Sequence, residues 1–212
     1  MNWLNFLRKE SIDVKTGPQT LEIPLFPIGG VLFPGGVLTL KVFEQRYLDM
    51  AAACMKNGTP FGVCLIASDK EVGEPAIPHL IGTLATIDQG DMPQLGILML
   101  TLRGGSRFRI VSQTTQSDGL LCAQVELLPE QEERAIPAAQ LGLLPLMKKI
   151  SRDLGSEKMP EPHAFDDAAW VGYRLTEILP IQALAKQKLL ELDDPVSRLE
   201  VLFTYLAQRK LV

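Results

Sequence analysis

Ile23-Pro-Leu-Phe-Pro-Ile-Gly-Gly-Val-Leu-Phe-Pro-Gly-Gly-Val-Leu-Thr-Leu-Lys-Val-Phe-Glu-Gln-Arg-Tyr47 is the stretch on which the reading of this chain turns. Leu21, Ile23 and Leu25 alternate with polar or proline positions, the period of a half-buried strand. Pro24 and Pro27 cannot donate to a ladder, which places that strand at a sheet edge. Two double glycines follow, and then a second strand from Val37 to Phe43. From Glu44 to Asn57 the period changes: Tyr47, Met50, Ala51 and Cys54 fall at helical spacing, and Asn57-Gly58 supplies the stop. The loop between the strands carries Ile28, Val31, Leu32 and Phe33. A loop this apolar either packs inside or forms an exposed patch of the kind that marks an interaction site.

Working outward, Phe61 to Ala67, Leu80 to Ile87 and Leu95 to Leu102 are apolar runs bounded by Gly, Pro or Asp, and each predicts a strand. Arg107 to Ile110 alternates, with Phe108 and Ile110 inward and both arginines outward. Leu120 to Leu128 closes the series after the Ser117-Asp-Gly119 turn. Seven strands and one interrupting helix suggest a curled or barrel-like sheet, since closure hides edges. After Gln131-Glu-Glu-Arg134 the period becomes 3.6. Ala168, Val171, Leu175 and Ile178 form one stripe, with Asp166 or Asp167 as N-cap. Leu199, Leu202, Phe203 and Leu206 form another, with Asp194 as N-cap and Pro195 at the first helical position. Leu141 to Leu154 and Ala183 to Leu192 add two more helices, and Pro145 should kink the first or delay its start. Strands followed by helices without alternation predict an α+β fold. The divisions expected are an N-terminal extension over residues 1–20, a β-rich lobe over 21–129 and a helical lobe over 130–212. Met159-Pro-Glu-Pro-His163 reads as a helix–helix loop and not as a domain linker.

Composition narrows the function. The chain has 212 residues, 46% hydrophobic and 22% charged, with a formal net charge of -4. No Lys/Arg run exceeds Lys148-Lys149, so the basic stripe of an electrostatic nucleic-acid binder is missing. Cys54, Cys64 and Cys122 are an odd count without Cys-x-x-Cys spacing, which argues against a disulfide framework or structural zinc. Buried, reduced thiols in a cytoplasmic protein are the expectation. Met1 to Glu10 has its charges after a short apolar patch, the reverse of a secretory signal. No stretch approaches the ~18 apolar residues of a membrane span.

Three blocks carry a family resemblance. The first is Phe33-Pro34-Gly35 followed by Phe43-Glu44-Gln45-Arg46-Tyr47. The second is Phe61-Gly-Val-Cys-Leu-Ile66, Gly82-Thr83 and Gly105-Ser-Arg-Phe-Arg-Ile110. The third is Leu179-Pro180, Lys186-Gln187 with Leu189-Leu190-Glu191, and Arg198-Leu-Glu200. In order and spacing they resemble the substrate-binding domain that opens Lon-type proteases, over about Leu21 to Leu206. Gln45 stands where the family often has proline. Lon proteases continue into ATPase and protease domains, whereas this chain ends at Val212, so the resemblance implies a stand-alone substrate-binding domain. It also implies a β lobe similar to PUA-type pseudo-barrels packed on a helical bundle. The implied partners are unfolded or degron-bearing polypeptides and, through them, a protease system. No cofactor, metal, nucleic acid or membrane is expected, and the oligomeric state stays open.

A P-loop needs a Lys-Ser/Thr after its glycines, and Gly29-Gly30 and Gly35-Gly36 lack it, so turns explain them. His79 and His163 flank prolines and read as solvated loop residues, without a nucleophile brought to either. Asp166-Asp167 and Asp193-Asp194 read as helix caps. Glu44 and Arg46 form either a charged clamp for a ligand or a tie between helix and sheet. Asp91-Met92-Pro93 reads as a loop tip with a flexible methionine suited to promiscuous binding. The expectation is a non-enzymatic polypeptide-recognition module, with Phe33, Pro34, Phe43, Arg46 and Met92 as contact residues. Capture would use an apolar groove or addition to the edge strand at Leu21 to Leu25. An RNA-binding module, by analogy with PUA-like folds, and an unrecognised hydrolase are the alternatives.

Overall fold

A computed structural model describes residues 20–68 and 76–212; the N-terminal extension expected over 1–20 thus lies, up to residue 19, outside the described residues. Among the described residues seven strands are formed: β1 (Thr20–Ile28), β2 (Val37–Val42), β3 (Phe61–Ser68), β4 (Ile77–Pro78), β5 (Ile81–Gln94), β6 (Ile97–Thr115) and β7 (Leu121–Leu127). Helix α1 (Gln45–Asn57) interrupts them, and α2 (Leu143–Lys158), α3 (Ala168–Ile178), α4 (Ala183–Glu191) and α5 (Pro195–Ala207) follow. The sheet order is β1-β7-β6-β5-β3-β4, and a parallel β1–β3 pairing closes the first five into a ring.

The edge position expected of β1 is therefore overturned. Thr20 to Leu25 pair with β7, and Leu25 to Ile28 pair with β3. Each side of the strand is paired over only part of its length, which is how a strand with two prolines can lie between two neighbours. The runs at Leu95–Leu102 and Arg107–Ile110 are one long strand, β6, passing through Gly104-Gly105 without a break. A Cβ on Gly104 would collide with the carbonyl of Phe33, so this glycine serves close backbone approach. β5 continues past Ile87 to Gln94, so Asp91-Met92-Pro93 lies in a strand and not in a loop tip.

Helix ends follow local chemistry. Gly58, at φ +64°, ends α1 in the left-handed conformation. Asp167 accepts from the N–H groups of Ala169 and Trp170, and Asp194 accepts from Ser197 N–H ahead of Pro195. The helix expected over 141–154 starts at Leu143, with Pro145 in the first turn, where its missing N–H costs no helical bond. It runs on to Lys158, kinked at Gly155 (φ +72°).

The sheet holds two apolar clusters. One gathers Phe26, Phe61, Leu100 and Leu102 around Tyr47, Met50, Ala51 and Cys54 of α1, with Phe26 stacked on Tyr47 at 4.1 Å. The other centres on Leu25, Phe108 and Val125. The Phe108 ring needs Gly62 and Gly82 beside it, since a Cβ on either would come within 2.7 Å of its tip. The helices bury Leu143, Met147, Leu175, Leu199 and Leu202 among themselves. Phe33, Ile81, Tyr173 and Leu190 join the two layers.

Polar seams run beside that contact. Arg107, expected to point outward, is buried at 4% exposure, while Arg109 is exposed as expected. Arg107 donates to Leu190 O (2.9 Å) and Leu192 O (3.3 Å) and pairs with Asp193 at 3.0 Å. Asp193 thus serves the seam, while its neighbour Asp194 caps. Arg198, fully buried, donates to Leu189 O, Leu192 O and Gln131 and lies over the Tyr173 ring at 4.0 Å. Gln187 reaches across to Ile81 O at 2.9 Å. Bringing charged groups this deep is costly unless they are hydrogen-bonded, and here backbone carbonyls at the end of α4 supply the partners.

Candidate functional site

Beyond the closed ring, β5 and β6 run on together from the row Ile87↔Leu102 to Gln94↔Ile97, and β2 pairs along the other side of β6. The result is a three-stranded ribbon. Its inner side chains, Leu38, Leu40, Val42, Leu98, Leu100 and Leu102, pack with α1. By the two-residue period of a strand, Thr39, Lys41, Thr101 and Arg103 fall on the opposite, polar face. Between that face and the ends of α2 and α3 lies a cleft of about 820 Å³, reached by Thr39, Asp88, Arg103 and Glu177.

At the far end of the ribbon the polarity reverses. Leu95 and Gly96 (φ +78°) make the turn, and Leu95 is 94% exposed. Met92 is 54% exposed and Phe43, one residue beyond the Val42↔Leu98 row, is 65% exposed. Met55 of α1 is 45% exposed, and its sulfur reaches to 3.3 Å from the position of a Cβ on Gly90. Four large apolar side chains, from β5, the turn after it, the residue following β2 and α1, are thus left in solvent near this end of the ribbon. Single exposed apolar residues are ordinary, but a group of them marks a contact surface.

Of the residues expected to form a site, Phe43 and Met92 are both exposed near this end of the ribbon. Phe33 does not: it is 0% exposed, against Tyr173 at 5.8 Å, so the apolar loop packs inside. Its neighbours agree, with Leu32 buried and Ile28 and Val31 half-buried. Pro34 is half-buried, and its carbonyl accepts from Arg174 at 2.8 Å. Arg46 bridges Glu44 (2.6 Å) and Gly119 O (2.8 Å), tying α1 to the turn before β7. Leu95 and Met55 were missed. Leu95 could have been noticed, because an apolar residue inside a Gln-Leu-Gly turn has no core to face.

The interface between sheet and helices holds a charged cluster. Arg174 lies 3.2 Å from Glu177, whose neighbour is Gly36 of the sheet, and Lys186 donates to Glu177 O at 2.7 Å. Burial pushes the Glu177 carboxyl up against the opposing pull of Arg174 and Lys186. Burial also draws the Arg174 guanidinium and the Lys186 ammonium down, against the support of Glu177.

The reading of His163 as a solvated loop residue is overturned: it is half-buried and packs on Phe165 and Trp170 at 5.3 and 5.6 Å. One ring nitrogen faces Met159 O at 3.0 Å and the other faces Ser151 Oγ at 3.4 Å. Ser151 is itself buried within α2 and the contact is long, the geometry of helix packing rather than of a poised nucleophile. The three cysteines are free and buried, and burial pushes the Cys64 thiol up to about 12, away from the thiolate a nucleophile needs. Among the described residues no group of three or more His, Cys, Asp or Glu could hold a metal ion, and no helix is long and apolar enough to cross a membrane.

A mixed sheet joined to five helices in this order is the fold of a Lon N-terminal domain. The crystal structure of a Lon N-terminal domain protein from Xanthomonas campestris superposes with a TM-score of 0.73 at 34% identity, covering 87% of this chain and 98% of that one. The N-terminal domain of a Mycobacterium avium complex Lon protease shares the fold at 18% identity and a TM-score of 0.64, covering 88% and 98% of the two chains. The chain belongs to the family described as the ATP-dependent protease La (LON) substrate-binding domain, which matches residues 22–208. Whole-length relatives include Lon protease 2 of Herpetosiphon aurantiacus, 28% identical over 94% of this chain and 25% of its own. Another is the Lon protease of Vibrio parahaemolyticus, 26% identical over 87% of this chain and 24% of its own. The chain therefore spans about a quarter of the curated relatives it matches. These matches fall in the substrate-binding domain and leave the ATPase and protease domains unmatched.

Proposed function

We propose that this protein is a non-enzymatic recognition module that captures unfolded or degron-bearing polypeptide for a protease system in the cytoplasm. The observation that carries the reading is the exposed apolar tip of Phe43, Met55, Met92 and Leu95, presented by a family whose name is substrate binding. The ring closed by β1 and β3 is read as a PUA-like pseudo-barrel, a rigid base for the ribbon. Three free, buried thiols fit a reducing compartment. Few residues carry most of an interface's energy, and flexible methionines suit varied sequences.

The test is to make Phe43→Ala, Met92→Ala and Leu95→Ala and measure capture of reduced, carboxymethylated casein by fluorescence anisotropy. Truncating an anchor costs on the order of 1–3 kcal/mol, a roughly 5- to 150-fold weaker complex. Melting should stay within about 0.5 kcal/mol of the parent, as for other surface changes. Phe33→Ala is the control: it should lose ~3–5 kcal/mol of stability with capture by the folded fraction unchanged. Casein binding that none of the three tip substitutions weakens would remove the tip from the mechanism.

A further inference from the structure

The ribbon ends sideways in β2, whose only strand partner among the described residues is β6. The phase of its ladder follows from one bond: Gly104 N–H donates to Gly36 O at 2.9 Å. In an antiparallel pair the bonded rows alternate, so Leu38, Leu40 and Val42 exchange bonds with β6. Val37, Thr39 and Lys41 then direct their N–H and C=O groups to the other side. Among the described residues no hydrogen bond reaches those groups from that side. Thr39 and Lys41 are exposed, and Leu38 and Leu40 are only half-buried. Edge strands in folded proteins are usually guarded by proline, a bulge, shortness or several charges; β2 has six residues, regular register and one lysine.

We propose that the free edge of β2 is where captured polypeptide is held, as an added strand of an extended segment whose residues alternate apolar and polar. The inference rests on the recognition reading above and says how that recognition works. Its chemistry is specific. Donor–acceptor pairs repeating every two residues, about 6.8 Å apart, match another extended backbone. On one face the added strand lies beside Leu38 and Leu40, which it would cover further. On the other it lies beside Thr39 and Lys41. Apolar and Thr–Thr cross-strand neighbours stabilise such a pair, as does an acidic residue opposite Lys41. One end of the edge opens at the cleft reached by Thr39, and the other reaches Phe43 of the apolar tip. A segment held by the tip is thereby fed along the edge, with side-chain anchoring first and backbone pairing second. The strand expected from sequence to accept such an addition, β1, is occupied on both sides.

The probe is a fluorescent nine-residue peptide alternating valine and threonine, compared with a block-ordered isomer and with a version N-methylated at every second amide. Wild-type protein should bind the alternating peptide at least about tenfold more tightly than either comparison peptide. Thr39→Pro should lose about the same factor while melting and casein anchoring at the tip persist, because the Thr39 N–H does not face β6. Equal binding of the parent and N-methylated peptides would overturn the strand-addition mechanism and leave the tip reading standing. Loss of casein capture by wild-type protein would overturn both. If Thr39→Pro turns a dimer into a monomer with peptide binding unchanged, the edge belongs to a second copy and the proposal falls. Should Thr39→Pro fail to fold, the three-peptide comparison on wild-type protein decides alone.

Discussion

Arg107→Met should damage the fold far more than Asp193→Ala, although the two residues form one ion pair. The guanidinium is 4% exposed and its carboxylate partner 85% exposed, so the pair itself is screened by water. Exposed pairs of this kind contribute about 0–1 kcal/mol. The bond to Leu190 O is different: it is buried, charge-assisted and 2.9 Å long. Leu192 O also receives Gln131 and Arg198, so it keeps donors when Arg107 is gone. Leu190 O does not, apart from whatever relaxation supplies. A hydrogen bond from a charged donor is worth about 1.5–3 kcal/mol, and a stranded buried acceptor costs about 1–3 kcal/mol, two descriptions that overlap. The expected loss is therefore about 2–4 kcal/mol for Arg107→Met, since methionine keeps most of the volume. For a protein of this size that lowers the midpoint by about 4–16 °C, against about 0–4 °C for Asp193→Ala. Thermal melts of both variants at low and high salt provide the assay. Arg107→Met should respond to salt as the parent does, because its main loss is a buried bond. Equal destabilisation by the two substitutions would refute the reasoning.

Two further outcomes are expected. Gly36→Ala should lose about 1–3 kcal/mol through overpacking, because its Cβ would overlap Glu177 Oε1 and lie 2.9 Å from Phe33 O; adding Glu177→Ala should restore part of the melting temperature, and no recovery would place the strain elsewhere. Cys64 has an ordinary value of 9.0 and stands at about 12 when folded, so the unfolded thiol loses its proton first as pH rises. Stability from this group is intact below about pH 9 and falls by about 1.4 kcal/mol per pH unit between the two values. Urea unfolding of wild type minus Cys64→Ala across pH 8 to 10 reads that slope, and a flat difference would count against it.

Local signals carried well into the structure where their cause is local. Asn57-Gly58, Asp167 and Asp194-Pro195 ended or opened helices because a cap needs only its own turn. Several misread positions depend on something distant in sequence. The break expected between Leu102 and Arg107 disappears because β6 runs through Gly104, laid against the Phe33 carbonyl. Pro24 and Pro27 resemble edge markers until β1 is seen to change partner at Leu25. Alternation correctly set Arg107 on the face opposite Phe108, but periodicity says nothing of what covers that face, here the end of α4 more than 80 residues later. The same limit divided the candidate site. Phe43, Met92 and Phe33 all entered the expected site as large apolar residues, yet only tertiary packing decides which of them meets solvent.

The partner exchange of β1 also imposes an order of events on synthesis. Leu25 to Ile28 can pair with Gly62 to Leu65 soon after β3 leaves the ribosome. Thr20 to Leu25 must wait for Leu121 to Glu126, roughly a hundred residues further on. At ~5–20 residues per second that is about 5–20 s of translation. Throughout that interval the nascent N-terminal half carries an unmatched strand with Ile23 and Leu25 uncovered, the kind of segment that a ribosome-associated chaperone holds. A module proposed to capture unfolded polypeptide thus spends its own first seconds as one.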